Sequence, residues 1–167
     1  MIKSCVIIIL NWNNAPDTIA TVRAIQAWTA LTPAVWVVDN NSQDDSVERI
    51  QRECPSVRLF QADCNLGFAA GNNLALRQAL GEGQADYVLL LNNDAVIDQA
   101  GMRQLLDTAE QHEASIVGPI LRDPPPSAAL QSAGGRDIAW HVDTHIRRLP
   151  SHTQPYPVDY VPGTAIL

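Results

Sequence analysis

Val6-Ile7-Ile8-Ile9-Leu10 leaves the chain little choice of architecture. Four of its five residues are β-branched and none is polar. No face of such a segment suits water, so it reads as a strand buried on both sides. A strand of that kind needs helices above and below its sheet, and the chain supplies them. Ile19, Val22, Ile25 and Trp28 recur every three positions and form one apolar helical stripe. Val35-Trp36-Val37-Val38 is a second buried strand. Ser42-Gln43-Asp44-Asp45 then fits a capping box opening a short helix, with Val47, Ile50 and Cys54 inward and Pro55 as its stop. Val57 to Ala62 reads as a third strand, about Gly67 to Leu80 as a helix ended by Gly81 and Gly83, and Tyr87 to Leu91 as a fourth strand. Asp98 is placed to cap a helix whose buried face holds Met102, Leu105, Leu106 and Ala109. Ile116-Val117 makes a short fifth strand closed by Gly118-Pro119. Successive βα units predict an α/β fold, a doubly wound and mostly parallel sheet covered on both sides by helices.

The 167 residues are 46% hydrophobic and only 17% charged, which supports a sizeable core and excludes global disorder. The net charge of −7 argues against a general nucleic-acid binder, which needs Lys and Arg to displace counterions. It argues equally against docking on an anionic membrane surface. No apolar stretch approaches the roughly 20 residues of a membrane-spanning helix, and the N-terminal region lacks the pattern of a signal peptide. Any membrane association would be peripheral and directed by something outside this sequence. Cys5, Cys54 and Cys64 fit no metal-ligand spacing. Being odd in number, they cannot all pair within the chain, which favours a reduced, cytosolic setting.

Residues 1–118 carry the βα alternation. From 119 to 167 the pattern breaks: most of the prolines, Gly134-Gly135 and three of the four histidines fall there, with no long periodic segment. This part reads as loop with short strands, ending in a strand over Val158 to Leu167 that is interrupted at Pro162-Gly163. The apolar close, Ala165-Ile166-Leu167, gives the expectation of a domain cut off before its end.

In an open parallel sheet, ligands bind beyond the carboxyl ends of the strands. Those ends read Asn11-Trp12-Asn13-Asn14, Asp39-Asn40-Asn41-Ser42, Asp63 with Asn65-Leu66-Gly67-Phe68, and Asn92-Asn93-Asp94. One such end is ordinary turn chemistry; four along one edge form a polar rim. No Gly-x-Gly-x-x-Gly follows the first strand and no Walker lysine motif occurs, so a pyrophosphate there would be neutralised by a divalent cation. Asp94 is the carboxylate placed to hold it. Trp12 and Phe68 sit on the rim where either could stack on a base, whereas Trp28 and Trp36 have core spacing. A phosphoacceptor signalling domain would need an acidic pair after the first strand and a lysine after a late one; the chain has Asn at the first place, and its only lysine is Lys3.

Cys5 to Asn13, Val38 to Ser46, Asn65 to Asn73 and Leu89 to Asp94 together resemble family 2 glycosyltransferases, and most closely their rhamnosyltransferase-like branch. Gly118-Pro119, Ser132 to Gly135 and Asp159 to Thr164 fit the same pattern. The resemblance implies a GT-A type sheet. Residues 1–118 would be the nucleotide-sugar-binding core, and 119–167 the start of an acceptor-binding part. It implies that Asn11, Trp12 and Asn13 hold the base, largely through backbone, and that Asp39 binds base or ribose. Asn65, Gly67, Phe68 and Asn72 would border the nucleotide at a helix start that favours the diphosphate. Asn92-Asn93-Asp94 occupies the Asp-x-Asp position, with Asp94 as ligand of Mg2+ or Mn2+. Asn92 replaces the first aspartate and brings no charge, so metal binding rests on one carboxylate plus the nucleotide.

The implied activity is transfer of a sugar, with inversion, from a nucleoside-diphosphate donor to a saccharide or lipid-linked acceptor in bacterial polysaccharide synthesis. The implied location is the cytoplasm, at the inner face of the membrane when the acceptor is lipid-linked. In the family the general base follows the last strand seen here, beyond Leu167. Asp137, His141, Asp143, His145 and Asp159 match no catalytic position and read as surface loop. His141 and His145 lack a third ligand. The alternative reading is a truncated, inactive module that binds nucleotide and transfers nothing.

Overall fold

The computed structural model describes residues 4–81, 83, 85–136, 144–149, 151 and 154–167. Its elements are β1 (Cys5–Asn11), α1 (Ala15–Gln26), β2 (Ala34–Asp39), α2 (Ser46–Glu53), β3 (Arg58–Gln61), α3 (Gly67–Gly81), β4 (Tyr87–Asn92), α4 (Gln99–Gln111), β5 (Leu121–Arg122), β6 (Leu130–Ser132) and β7 (Ala165–Ile166). Five strands form the main sheet in the order β3-β2-β1-β4-β7. All its pairings are parallel except that of β7, which runs antiparallel to β4. β5 and β6 make a separate two-stranded antiparallel ribbon.

Period two along β1 sorts its side chains between two cores. Ile7 and Ile9 point into the layer shared with Ile19, Val22 and Ile25 of α1, Ile50 of α2, and Met102, Leu105 and Ala109 of α4. Val6 and Ile8 point the other way, joining Trp36, Val38, Ala75 and Ala79, the last two from α3. β1 therefore lies at the centre of a three-layer stack, as its uninterrupted apolar run requires. On the α3 side the layers approach closely: a Cβ on Gly71 would stand 2.8 Å from Leu10 Cδ1.

The α4 start is as expected, with the Asp98 carboxylate accepting from Gly101 N–H at 2.7 Å. Three expectations need correction. The capping box at Ser42–Asp45 does not form. α2 begins at Ser46, and Asp45 at its N-cap makes no side-chain cap. Asp44 accepts from Ser46 N–H instead, at 3.0 Å. The Ser42 hydroxyl is drawn away from a capping role to the Asp39 carboxylate, to which it donates at 2.6 Å. Ile116-Val117 does not make a strand: Val117 exchanges two backbone hydrogen bonds with Leu167, at 2.8 and 2.9 Å, while Ile116 stays exposed. The Pro119 ring, which lacks a donor, follows too soon for a longer ladder. The last strand is likewise shorter than Val158 to Leu167, reduced to Ala165–Ile166 with a separate bridge from Tyr160 to Gly135.

Candidate functional site

Register sets the site. Asn11 pairs with Asp39, Leu10 with Asn92, and Asp39 with Gln61, so the loops after β1, β2, β3 and β4 open along one edge. What fastens these loops is a hydrogen-bond network among side chains. The Asp39 carboxylate, 2% exposed, accepts from Asn11 Nδ2 at 2.8 Å, from Ser42 Oγ at 2.6 Å and from Ser42 N–H at 2.9 Å. Ser42 Oγ in turn accepts from Asn13 N–H at 2.8 Å, and Asn13 Oδ1 accepts from Gln43 N–H at 2.7 Å. Asn11 Oδ1 accepts from Thr18 Oγ1 at 2.7 Å. Asn93 Nδ2 donates to Thr18 Oγ1 at 3.1 Å, and its carbonyl accepts from Thr21 Oγ1 at 2.7 Å. The loops after β2 and β3 are joined separately: Asn40 donates to Asn65 Oδ1 and accepts from Leu66 N–H, both at 2.9 Å.

The expected site residues divide into three groups. Asn11 and Asn72 are buried, and the Asn72 amide donates to Phe68 O at 2.9 Å. The polar ends of both side chains are turned inward, where they act as scaffold. Asp39 and Asn93 belong to the network, Asp39 buried and Asn93 half-buried. Trp12, Asn13, Asn65, Gly67 and Phe68 are exposed, the Trp12 ring by 55%. Gly67 takes the left-handed φ of +73° where the chain turns into α3. Asn92 is half-buried, its N–H donating to Thr164 O at 2.9 Å. Asp94 is exposed, and its carboxylate has no hydrogen bond or ion pair among the described residues.

A lone carboxylate suits a cation that brings other ligands with it. Among the described residues no group of three or more His, Cys, Asp or Glu could hold a metal ion. Ser42, Thr18, Thr21 and Asn40 are the functional scaffold that sequence reasoning missed. A serine or threonine beside a turn is too common to single out; the signal was Asn40 itself, which lies within the polar strand end.

Residues 119–167 add an open cleft of about 760 Å³ lined by Asp123, Gln131, His145, Arg147, Tyr160 and Thr164 among others. It adjoins the rim: Thr164 holds Asn92, and Gly163 lies against the Phe68 ring. His145 Nδ1 stands 2.9 Å from Ser132 Oγ, and its ring meets Tyr160 edge-on. Asp159 is exposed, its N–H donating to Gly135 O. Asp137, His141 and Asp143 lie outside the described residues. No described helix is long and apolar enough to cross a membrane.

The family model for Glycosyl transferase family 2 matches residues 6–155. The chain is 25% identical over 119 residues to the low-salt glycan biosynthesis hexosyltransferase Agl10 of Haloferax volcanii, a match covering 71% of this chain and 37% of that protein. S. aureus TarS 1–349, solved in complex with UDP-GlcNAc, is similar with a TM-score of 0.54 at 20% identity, over 73% of this chain and 37% of that one. The mannosyltransferase PcManGT from Pyrobaculum calidifontis, solved in complex with GDP-Man and Mn2+, gives 0.55 at 23% identity, over 73% and 36%. These structural likenesses carry the fold, a GT-A type α/β sheet. The chain spans little more than a third of the length of each of these proteins. The family match takes in the whole strand-end rim and the part of the cleft before residue 156, and on that match the chain belongs to glycosyl transferase family 2.

Proposed function

We propose that the chain is the donor-binding part of an inverting glycosyltransferase that moves a hexose or deoxyhexose from a nucleoside diphosphate to a saccharide or lipid-linked acceptor. Bacterial surface-polysaccharide synthesis is the setting that the motifs favour, with rhamnose as the deoxyhexose they suggest. The observation that carries the reading is Asp94, an exposed, unpartnered carboxylate at the end of β4 whose neighbours Asn92 and Asn93 are neutral amides. A site with one charge and several amides favours a ligand that supplies its own anionic oxygens.

In this reading the Trp12 ring stacks on the base. Asp39 has three of its roughly four lone-pair positions filled and accepts from a base or ribose donor with the remaining one. Asn13 and Asn65 border the ribose. The first turn of α3, entered at Gly67, directs backbone N–H groups toward the diphosphate. Asp94, with the diphosphate oxygens, would hold Mg2+ or Mn2+, the cation stabilising the charge that develops on the leaving diphosphate. Asn92 offers hydrogen bonds to a sugar hydroxyl. The bond from the anomeric carbon to the diphosphate breaks as a bond to the acceptor oxygen forms on the opposite face, and the acceptor hydroxyl loses its proton to a general base. The cleft beside Thr164 is polar enough to receive the saccharide, and any lipid part of the acceptor would stay at the membrane.

Isothermal titration with UDP, GDP and dTDP, each with and without Mn2+, tests the reading. Mn2+ is expected to tighten one of them at least tenfold, and Asp94→Ala to remove that gain. Equal affinity with and without metal would overturn the role of Asp94. A second reading, nucleotide binding without transfer by this chain alone, is favoured by its matching 37% of the hexosyltransferase relative. Sugar transfer to a saccharide acceptor by the isolated chain would dismiss it.

A further inference from the structure

The buried contacts between Asp39 and Asn93 have a direction. Both Asp39 oxygens accept, Oδ1 from Ser42 Oγ and Oδ2 from Ser42 N–H, so the amide beside it must present its NH2; turning the Asn11 amide over would set its oxygen against the carboxylate. With Nδ2 committed, Asn11 Oδ1 faces Thr18 and can only accept. Thr18 therefore spends its one hydroxyl proton on Asn11, at 2.7 Å, and keeps a lone pair for the next neighbour. Only a donor fits there, and Asn93 supplies Nδ2 at 3.1 Å. The alternative acceptor for the Thr18 proton, Asn14 O, is farther away at 3.1 Å. Thr18 is fully buried, so water cannot take over its role. Thr21 fixes the Asn93 backbone from the same helix. Asn93 Nδ2 also reaches Asn14 O at 3.5 Å, a longer contact than the one to Thr18, so the amide is held with nitrogen inward, and its oxygen has no partner among the described residues.

We propose that Thr18 is a positioning residue. It relays the direction of the Asp39–Asn11 hydrogen bond into the orientation of Asn93, so that an amide oxygen stands on the rim beside Asp94, the next residue. The site then offers two oxygen-bearing groups, an amide and a carboxylate, where Asp94 alone would give one. The Asn93 oxygen can accept from a donor-sugar hydroxyl or from water bound to a cation. This rests on the metal-dependent nucleotide binding proposed above.

Two measurements on the full chain test it, with Thr18→Val removing the hydroxyl at nearly constant volume and Thr18→Ser keeping it. The first needs no ligand. In 15N-correlated spectra, Thr18→Val should shift the side-chain NH2 signals of both Asn11 and Asn93, while Thr18→Ser leaves them near their wild-type positions. The second is titration of the tightest nucleoside diphosphate with and without Mn2+. Thr18→Val should lose about five- to tenfold of affinity, the scale of one hydrogen bond, only when Mn2+ is present, and Thr18→Ser should restore it. Thr18→Val combined with Asn93→Ala should bind no more weakly than Asn93→Ala alone. The proposal is overturned if wild type shows the Mn2+ gain and Thr18→Val keeps all of it, or loses as much affinity without metal as with it. If wild type shows no Mn2+ gain, the reading of Asp94 fails first and this one with it.

Discussion

Adjacent side chains take opposite roles on this rim. Asn11 and Trp12 are neighbours, yet one is sealed and the other is mostly in solvent. Asn11→Ala removes one of three donors to the buried Asp39 carboxylate and the nearer acceptor of the buried Thr18 hydroxyl, so an unfolding titration in urea should register a loss of about 1–3 kcal/mol. Trp12→Ala should leave the urea midpoint almost unmoved and weaken nucleotide binding about tenfold, as loss of one stacking partner does. A variant that reversed these two outcomes would show that the network is dispensable and the ring structural. The sequence made the amide and acid rim visible because Asn and Asp ended each strand in turn. It could not reveal that Ser42 and Thr18 hold the rim together, since their partners are up to 75 positions away and only the register of β1, β2 and β4 brings them near.

Among the elements, β1, β2 and β4 were readable because a strand buried on both faces has only one kind of sequence, and α1, α3 and α4 because their stripes had clear starts or stops. The misreadings fall where a stronger or a more distant partner takes the place of the one expected. Ser42 abandoned its cap for Asp39, and the strand expected at Ile116-Val117 shrank to one pair with Leu167. Beyond 118 the organisation depends on close contacts that no periodicity announces. Gly134 is an instance: its φ is +88°, and a Cβ there would lie 2.6 Å from Val158 Cγ1. Gly134→Ala should cost about 1–2 kcal/mol from backbone strain alone, plus the clash. Amide exchange should report it locally, as faster exchange at Ala133 and Ile146, which donate across this junction, with β1 protection unchanged.

For the whole molecule, the three thiols are graded by burial. Cys64 is exposed, Cys54 is buried, and burial pushes the Cys5 thiol up to about 12. Burial also raises Cys54, against the opposing pull of Arg23. A thiol reagent at neutral pH should modify Cys64 fast, the half-buried Cys5 slowly because little of it is thiolate, and the buried Cys54 only as the fold opens. The same burial makes stability depend on alkali. Unfolded Cys5 loses its proton near 9.0 and folded Cys5 near 12, so its contribution is complete below 9.0 and is lost as pH rises toward 12. Urea midpoints should therefore fall above pH 9 more gently for Cys5→Ala than for wild type; parallel curves would assign the fall to other groups.

Ser42 touches Asn11, Asn13 and Asp39, three points on two different loops, with a single hydroxyl and its own N–H. Loops clipped together in that way have already surrendered their wandering before anything docks, so an arriving molecule forfeits little besides its own tumbling. In stopped-flow mixing, capture should follow one exponential whose rate climbs linearly with reactant concentration. A plateau would expose a hidden rearrangement that so tight a clasp ought to forbid.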